Sequence, residues 1–236
     1  QEPRRLRPYR ASFMTGPTPR PLAWAVGFRT YGARTRPHLC RPMQVLLQSQ
    51  DMPSSRPGKV RLKTTPDELR AAGILLPTPE KDTRLDLRAI FGNDHPVEIE
   101  IGPGKGAFLI RRAGERPEVN FLGVEWMNVY AAYVADRALR AGLENVRLLA
   151  IDAQLLFARH LGDASAGRVH IYFPDPWPKK KHHRRRLICP SFLDRARRVL
   201  TIGGWLGIVT DHEEYFAHIR RVLQHREGLA VVDYPS

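Results

Sequence analysis

The sequence predicts an α/β fold built on a doubly wound, mostly parallel sheet, and three observations carry that expectation. Short apolar runs at residues 97–101, 120–125, 146–151, 169–173 and 205–210 alternate with stretches of helical period at 106–113, 127–141, 153–160 and 191–200. Strand and helix taking turns at this spacing is what right-handed crossovers between parallel strands demand, with helices on both faces of the sheet. The first run passes straight into a glycine-rich turn, Gly102-Pro103-Gly104-Lys105-Gly106, at the start of a helix. Acids stand at the carboxyl ends of three successive runs, the edge beyond which open α/β sheets bind their ligands.

At 236 residues and 42% hydrophobic, the chain can bury one good core and is short for two ordinary domains. Its formal charge of +14 exceeds what small neutral substrates require and makes nucleic acid the leading partner. No run of 18 apolar residues occurs, so no membrane partner is expected. Cys40 and Cys189 stand alone, without the paired spacing of a disulfide framework or a zinc site, which points to a reducing cytoplasm and to no metal.

Residues 1–51 hold nine Arg, no Lys, seven Pro and only Glu2 and Asp51 as acids, so half of the net charge sits in this short stretch. It shows neither a 3.6-residue nor a 2-residue apolar period. The expectation is a segment outside the core: a disordered tail, untranslated sequence ahead of a start at Met52, or a basic arm for RNA. Its removal is expected to leave the fold and activity intact. Residues 52–96 follow as a polar entry segment with short helices at 67–76 and 86–91, and 97–236 as the main domain.

The G-x-G-x-G spacing of the turn differs from the G-x-G-x-x-G of dinucleotide folds and fits a plain tight turn as well as a ligand cradle. Gly102 and Gly104 become candidate ligand contacts through their surroundings. Glu100 stands at the end of the first run and Glu125 at the end of the second, where a carboxylate can accept both hydroxyls of a ribose. Asp152 follows the third, where it can accept from an adenine amino group. Each acid alone is as readily a turn or a helix cap. Together they favour a cofactor with a sulfonium and an ammonium but no phosphate, S-adenosylmethionine, over NAD or FAD, whose pyrophosphate they would repel.

The fourth run leads into Phe173-Pro174-Asp175-Pro176-Trp177-Pro178 and then eight consecutive Lys, His and Arg residues, 179–186. The prolines forbid helix and are expected to hold Asp175 and Trp177 extended at the edge of the cofactor site. A charge run is often only a solvated face or a localisation signal. Beside an aromatic turn at a strand's carboxyl end it reads as a phosphate clamp next to a base pocket.

At these residues the sequence resembles the tRNA (guanine-N7-)-methyltransferase family, S-adenosylmethionine-dependent enzymes of class I. The resemblance covers about residues 85–234 and rests on Phe91-Gly92-Asn93, Glu98-Ile99-Glu100-Ile101-Gly102, Gly123-Val124-Glu125-Trp126, Ile151-Asp152-Ala153, Asp175-Pro176-Trp177-Pro178-Lys179-Lys180 and Thr210-Asp211. It implies a Rossmann-like methyltransferase sheet in which Glu100, Glu125, Asp152 and Asp175 line the S-adenosylmethionine site. It implies further that Asp175 is catalytic, that Lys179 and Asp211 contact tRNA, and that the substrate is a guanine of the variable loop.

Guanine N7 has a free lone pair, so no general base has to remove a proton before it attacks a methyl group, and catalysis rests on placement and charge. Trp177 fits a wall or stacking surface for the base as well as a packing role. Two alternatives remain: a nucleic-acid methyltransferase acting on an exocyclic amino group, whose Pro-Pro-aromatic order Trp177 and Pro178 invert, and a tRNA-binding module that has lost catalysis. At the carboxyl end the sequence departs from the family. After a helix-like stretch at 212–225, the run 229–234 supplies one more strand, and no Thr-Lys-Phe-Glu segment follows. In this fold class the missing strand enters antiparallel between two others. The sheet is therefore expected to lack its final strand, and the chain to be an incomplete gene product, poorly soluble or weakly active.

Overall fold

The computed structural model describes residues 60–224 and, as backbone, the two strands Trp24–Thr30 and Leu229–Val232. In chain order the first elements are β1 (Trp24–Thr30), α1 (Pro66–Ala71), β2 (Leu75–Leu76), α2 (Leu87–Phe91), β3 (Val97–Ile101), α3 (Ala107–Glu115), β4 (Asn120–Glu125) and α4 (Asn128–Arg140). There follow β5 (Val146–Ala150), α5 (Ala153–Leu155), β6 (Ala166–Tyr172), α6 (Pro190–Val199), β7 (Leu200–Thr210), α7 (Glu213–Leu223) and β8 (Leu229–Val232). The predicted strands and helices of residues 97–224 all occur, with ends moved by a few residues. The helix expected at 153–160 is one α turn that widens into a π-helical turn, Leu156–His160.

The strands form a single sheet in the order β2-β5-β4-β3-β6-β7-β1-β8. From β2 to β7 every neighbouring pair is parallel, whereas β1 runs antiparallel to both β7 and β8. β3 lies at the centre, and its sequence Val-Glu-Ile-Glu-Ile is buried at all five positions. Because side chains alternate along a strand, Val97, Ile99 and Ile101 face one way and Glu98 and Glu100 the other. The aliphatic side joins Phe157, Phe192, Leu193, Tyr215 and Ile219 in one core cluster. On the opposite face α3 and α4 bring Leu109, Ala131, Val134 and Ala135 against Phe121 and Leu148. Each buried Val, Leu, Ile or Phe among them contributes about 1.5–3 kcal/mol relative to exposure.

The entry segment is fastened as well as packed. Thr65 caps α1 in a reciprocal capping box with Glu68, and Pro66 occupies the first turn, where its missing N–H costs nothing. Just ahead, Asp136 of α4, with no exposed surface, accepts from the Thr64 hydroxyl (2.7 Å) and from the Thr64 and Lys63 backbone N–H groups, with Arg140 alongside.

The end of the sheet departs from the sequence expectation. The position between β7 and β8 is filled: β1 pairs residue by residue with β7, Trp24 opposite Thr210 and Arg29 opposite Trp205, and with β8 from Gly27 to Thr30. Seven residues of the basic leader enter the sheet at that position. Arginine and proline dominate the leader as a whole and hide a short stretch, Trp-Ala-Val-Gly-Phe-Arg-Thr, whose aromatic and β-branched residues suit a strand. The expectation of disorder for the rest of residues 1–51 lies outside the described residues.

Candidate cofactor and substrate site

The parallel strands β3 to β6 end together, and a cavity of about 610 Å³ opens beyond their carboxyl ends. Its lining includes Gly102, Glu125, Trp126, Asp152, Tyr172, Asp175, Trp177 and Arg185. A second cavity, about 570 Å³, lies at the amino ends of β3 to β5 and is lined by Asn93, His95, Asn145 and Arg147 among others. None of the residues expected to carry chemistry reaches that second cavity.

The turn between β3 and α3 places Gly102, Gly104 and Gly106 at φ of 71°, 55° and 74°, values that only glycine adopts freely. A Cβ added to Gly102 or Gly104 would meet open space; Gly102 lines the cavity with bare backbone, whereas Gly104 is not part of the lining. At Gly106 a Cβ would come within 2.6 Å of Val134, so this glycine also lets α3 pack closely on α4. Glu125 binds the turn from the neighbouring strand: one carboxylate oxygen accepts the Gly104 N–H (3.2 Å) and the other accepts the Met127 N–H (3.2 Å). Asp152 caps α5 by accepting the Leu155 N–H at 3.0 Å. The helix-cap role and the place at the cavity are therefore held by the same residue.

Glu100 differs from the other acids. It is buried inside β3 and is not part of the cavity lining, and its Oε2 has no hydrogen-bond partner. Burial pushes its carboxyl up to about 8, the Leu109 backbone N–H works against that rise, and the nearby Glu125 charge adds to it. On the same face, Glu98 accepts from Arg116 (2.9 Å) and pairs with His170 Nε2 (2.9 Å). Burial works to raise the Glu98 carboxyl, but His170, Arg168 and Arg116 together hold it below its usual value. Burial, against the pull of Glu98, lowers His170. A neutral His170 therefore donates from Nε2 to Glu98 and accepts the Tyr172 hydroxyl proton at Nδ1 (2.9 Å). This buried chain ends at Tyr172, on the cavity wall. Nothing in the sequence beyond the two-residue alternation of β3 and β6 signals it.

The proline-rich loop is not simply extended. Phe173 and Trp177, each directly before a proline, have φ of 52° and 44°, left-handed values for residues that a following proline biases toward extended backbone. Asp175 between them is exposed at the cavity rim. Trp177 lies with the Arg185 guanidinium 5.0 Å from its ring centroid and meets His182 edge-on at 5.8 Å. The basic run forms a turn of 3-10 helix, Lys180–Arg185, with its lysines exposed. Its last member departs from the clamp reading: the Arg186 side chain is 1% exposed and bonded within the protein. Lys179 and Asp211 are exposed but do not line the cavity. Trp126, 71% exposed at the rim, is a feature the sequence reading left without a role.

Among the described residues, no helix is long and apolar enough to cross a membrane, and no group of three or more His, Cys, Asp or Glu is arranged to hold a metal ion.

A family model described as "Putative methyltransferase" matches residues 94–234. The tRNA (guanine-N(7)-)-methyltransferase of Marinobacter nauticus is 43% identical over 146 residues, 62% of this chain and 61% of that protein. The protein of the same name from Pasteurella multocida is 40% identical over 144 residues, 61% of this chain and 56% of the relative. The chain thus spans less than two thirds of the length of these curated relatives. Among solved structures, the antibiotic-resistance methyltransferase Kmr aligns at 27% identity with a TM-score of 0.40, over 52% of this chain and 63% of that one. With a family model matched over more than half of its length, the chain belongs to that methyltransferase family, with the tRNA (guanine-N(7)-)-methyltransferases as its relatives.

Proposed function

We propose that the chain transfers the methyl group of S-adenosylmethionine to N7 of a guanine in the variable loop of tRNA, in the cytoplasm. The observation that carries this reading is the meeting of the glycine turn, Glu125, Asp152 and Asp175 at one cavity whose rim continues into a basic turn. The residues fit the cofactor. Glu125 and Asp152 at the cavity offer acceptors to ribose hydroxyls and an amino group, and the bare backbone at Gly102 admits close approach. A pyrophosphate would meet the same carboxylates unfavourably.

When bound, S-adenosylmethionine supplies an electrophilic methyl group. Asp175 does the work on the substrate side, accepting hydrogen bonds from the guanine edge and stabilising the positive charge that develops on the ring. No residue has to take a proton from N7, which attacks through its own lone pair. Trp177, steadied by Arg185, offers a face for the base, while Lys179, Lys180, Lys181 and Asp211 lie outside the cavity, where the tRNA backbone and neighbouring nucleotides would run. The base has to be unstacked to reach the site.

The test is incubation with methyl-labelled cofactor and bulk tRNA, followed by nucleoside analysis. Label in 7-methylguanosine is expected. Label on an exocyclic amino group would move the activity to the other class of nucleic-acid methyltransferase, and tRNA binding without any transfer would leave a binding module.

A further inference from the structure

Arg186 ends a run of eight basic or His residues, and its surroundings set it apart from the rest. Lys179, Lys180, Lys181, Arg184 and Arg185 are exposed, whereas Arg186 is buried. Its Nε donates to the Pro176 carbonyl at 2.8 Å, in the loop that holds Asp175. Its two terminal nitrogens donate to both oxygens of Glu214, at 3.1 and 2.5 Å, a forked pair that a lysine cannot reproduce. The guanidinium lies 4.9 Å from the ring centroid of Tyr215, whose own hydroxyl accepts the Ile188 N–H at 3.3 Å. Glu214 belongs to the first turn of α7, three residues after Asp211. One guanidinium therefore spans the Asp175 loop and the helix that follows Asp211. The loop needs such a tie, since Phe173 and Trp177 hold left-handed φ values on either side of Asp175.

We propose that Arg186 is a positioning residue for methyl transfer: it fixes Asp175 relative to α7 through Pro176 and Glu214, and it is not a phosphate contact. This rests on the reading of Asp175 as the residue that acts on the base. A phosphate contact would need the guanidinium to leave a carboxylate, a carbonyl and an aromatic face at once.

The experiment uses the full chain in four forms: wild type, Arg186→Lys, Arg186→Gln and Glu214→Gln, with Arg184→Ala/Arg185→Ala as the phosphate-contact control. Three quantities are read: transfer to bulk tRNA, the salt dependence of tRNA binding, and amide hydrogen exchange at Phe173, Asp175 and Trp177, the loop residues that carry an N–H. Positioning through the fork predicts that Arg186→Lys lowers kcat about as much as Arg186→Gln, tenfold or more, with KM for the cofactor within about twofold. The log-log salt slope stays that of wild type in both, while the Arg184/Arg185 control loses roughly 0.7 to 0.9 per contact removed. Exchange at Phe173, Asp175 and Trp177 accelerates in both Arg186 variants and, less, in Glu214→Gln. Should Arg186→Gln fail to melt cooperatively, Arg186→Lys and Glu214→Gln decide the matter. Arg186→Lys with wild-type kcat, a lower slope in Arg186→Gln, or unchanged exchange in all variants would overturn the proposal. If wild type itself makes no 7-methylguanosine, the functional reading falls, and the exchange and salt arms still decide whether Arg186 ties the loop or meets phosphate.

Discussion

The two halves of the site are held in opposite ways. On the cofactor side, three glycines take left-handed φ values at little cost, and Glu125 fastens them from the adjacent strand. On the substrate side, Phe173 and Trp177 take comparable values, at about 1–3 kcal/mol each, so the loop persists only while other groups hold it. Those groups lie ten residues on, at Arg186, and farther away, at Glu214 and β1. Arg186 and Glu214 grip the loop from one side, and β7, which runs beside β6 and leads to Asp211, is itself flanked by β1 from the leader. The cofactor half rests on glycines that hold their backbone at little cost and the substrate half on partners that offset strain, so substitutions remote from the cavity should damage the second far more than the first.

The largest effect is expected from deleting residues 1–51, which removes the internal strand between β7 and β8. The truncated chain should lose its cooperative thermal transition or melt far below the full chain. The milder Phe28→Pro, which removes a ladder donor and leaves its acceptor unpaired, should cost about 1–3 kcal/mol, roughly 2–12 °C in a chain of this size. Identical melting curves for full and truncated chains would remove the contrast between the halves. Next comes Asp175→Ala, expected to reduce single-turnover transfer by about two orders of magnitude or more, with cofactor affinity by calorimetry within a few-fold. A variant as fast as wild type would take Asp175 out of the chemistry.

Two smaller effects sharpen the comparison. Replacing Lys179, Lys180 and Lys181 by Ala should leave cofactor binding alone and flatten the salt dependence of tRNA affinity by up to about two log-log units; an unchanged slope would make the run a solvated face. The last is a pH effect in the cofactor half. The Glu100 carboxyl is raised by burial from 4.5 to about 8, so the folded chain holds a proton there that the unfolded chain has released. Its stabilising share is fully present below pH 4.5 and is lost as pH rises toward 8. Melting temperatures of the cofactor-free protein should therefore fall across that window, and those of Glu100→Gln should fall less. Parallel profiles would show that Glu100 titrates normally.

What could be read from sequence follows the same division. The β3 to β6 strands, the glycine turn and the positions of Glu125 and Asp152 are short-range features, each written as a run, a turn or a strand end. The Asp175 motif was equally visible because its prolines and tryptophan stand in one string. Arg186 was not, since nothing local distinguishes it from Arg184 and Arg185: only burial against Tyr215 and Glu214 does. Glu98, His170 and Tyr172 likewise meet through strand register, which no single stretch records. The strand β1 was hidden twice over, by the arginine-rich composition around it and by a partner at the other end of the sequence.

That last pairing also fixes an order of events. During synthesis β1 is made before every other strand described, and its partners β7 and β8 are made after all the rest. The parallel strands from β2 to β6 can pair while translation continues, but the β7 edge has no neighbour on its far side until the amino-terminal segment swings back across the nearly finished sheet. Closing so long a loop is among the slowest kinds of step in folding, and an open strand edge invites pairing with other chains while it waits. Refolding yield should accordingly fall as protein concentration rises, and a single strand from the leader would set how much of this protein survives its own assembly.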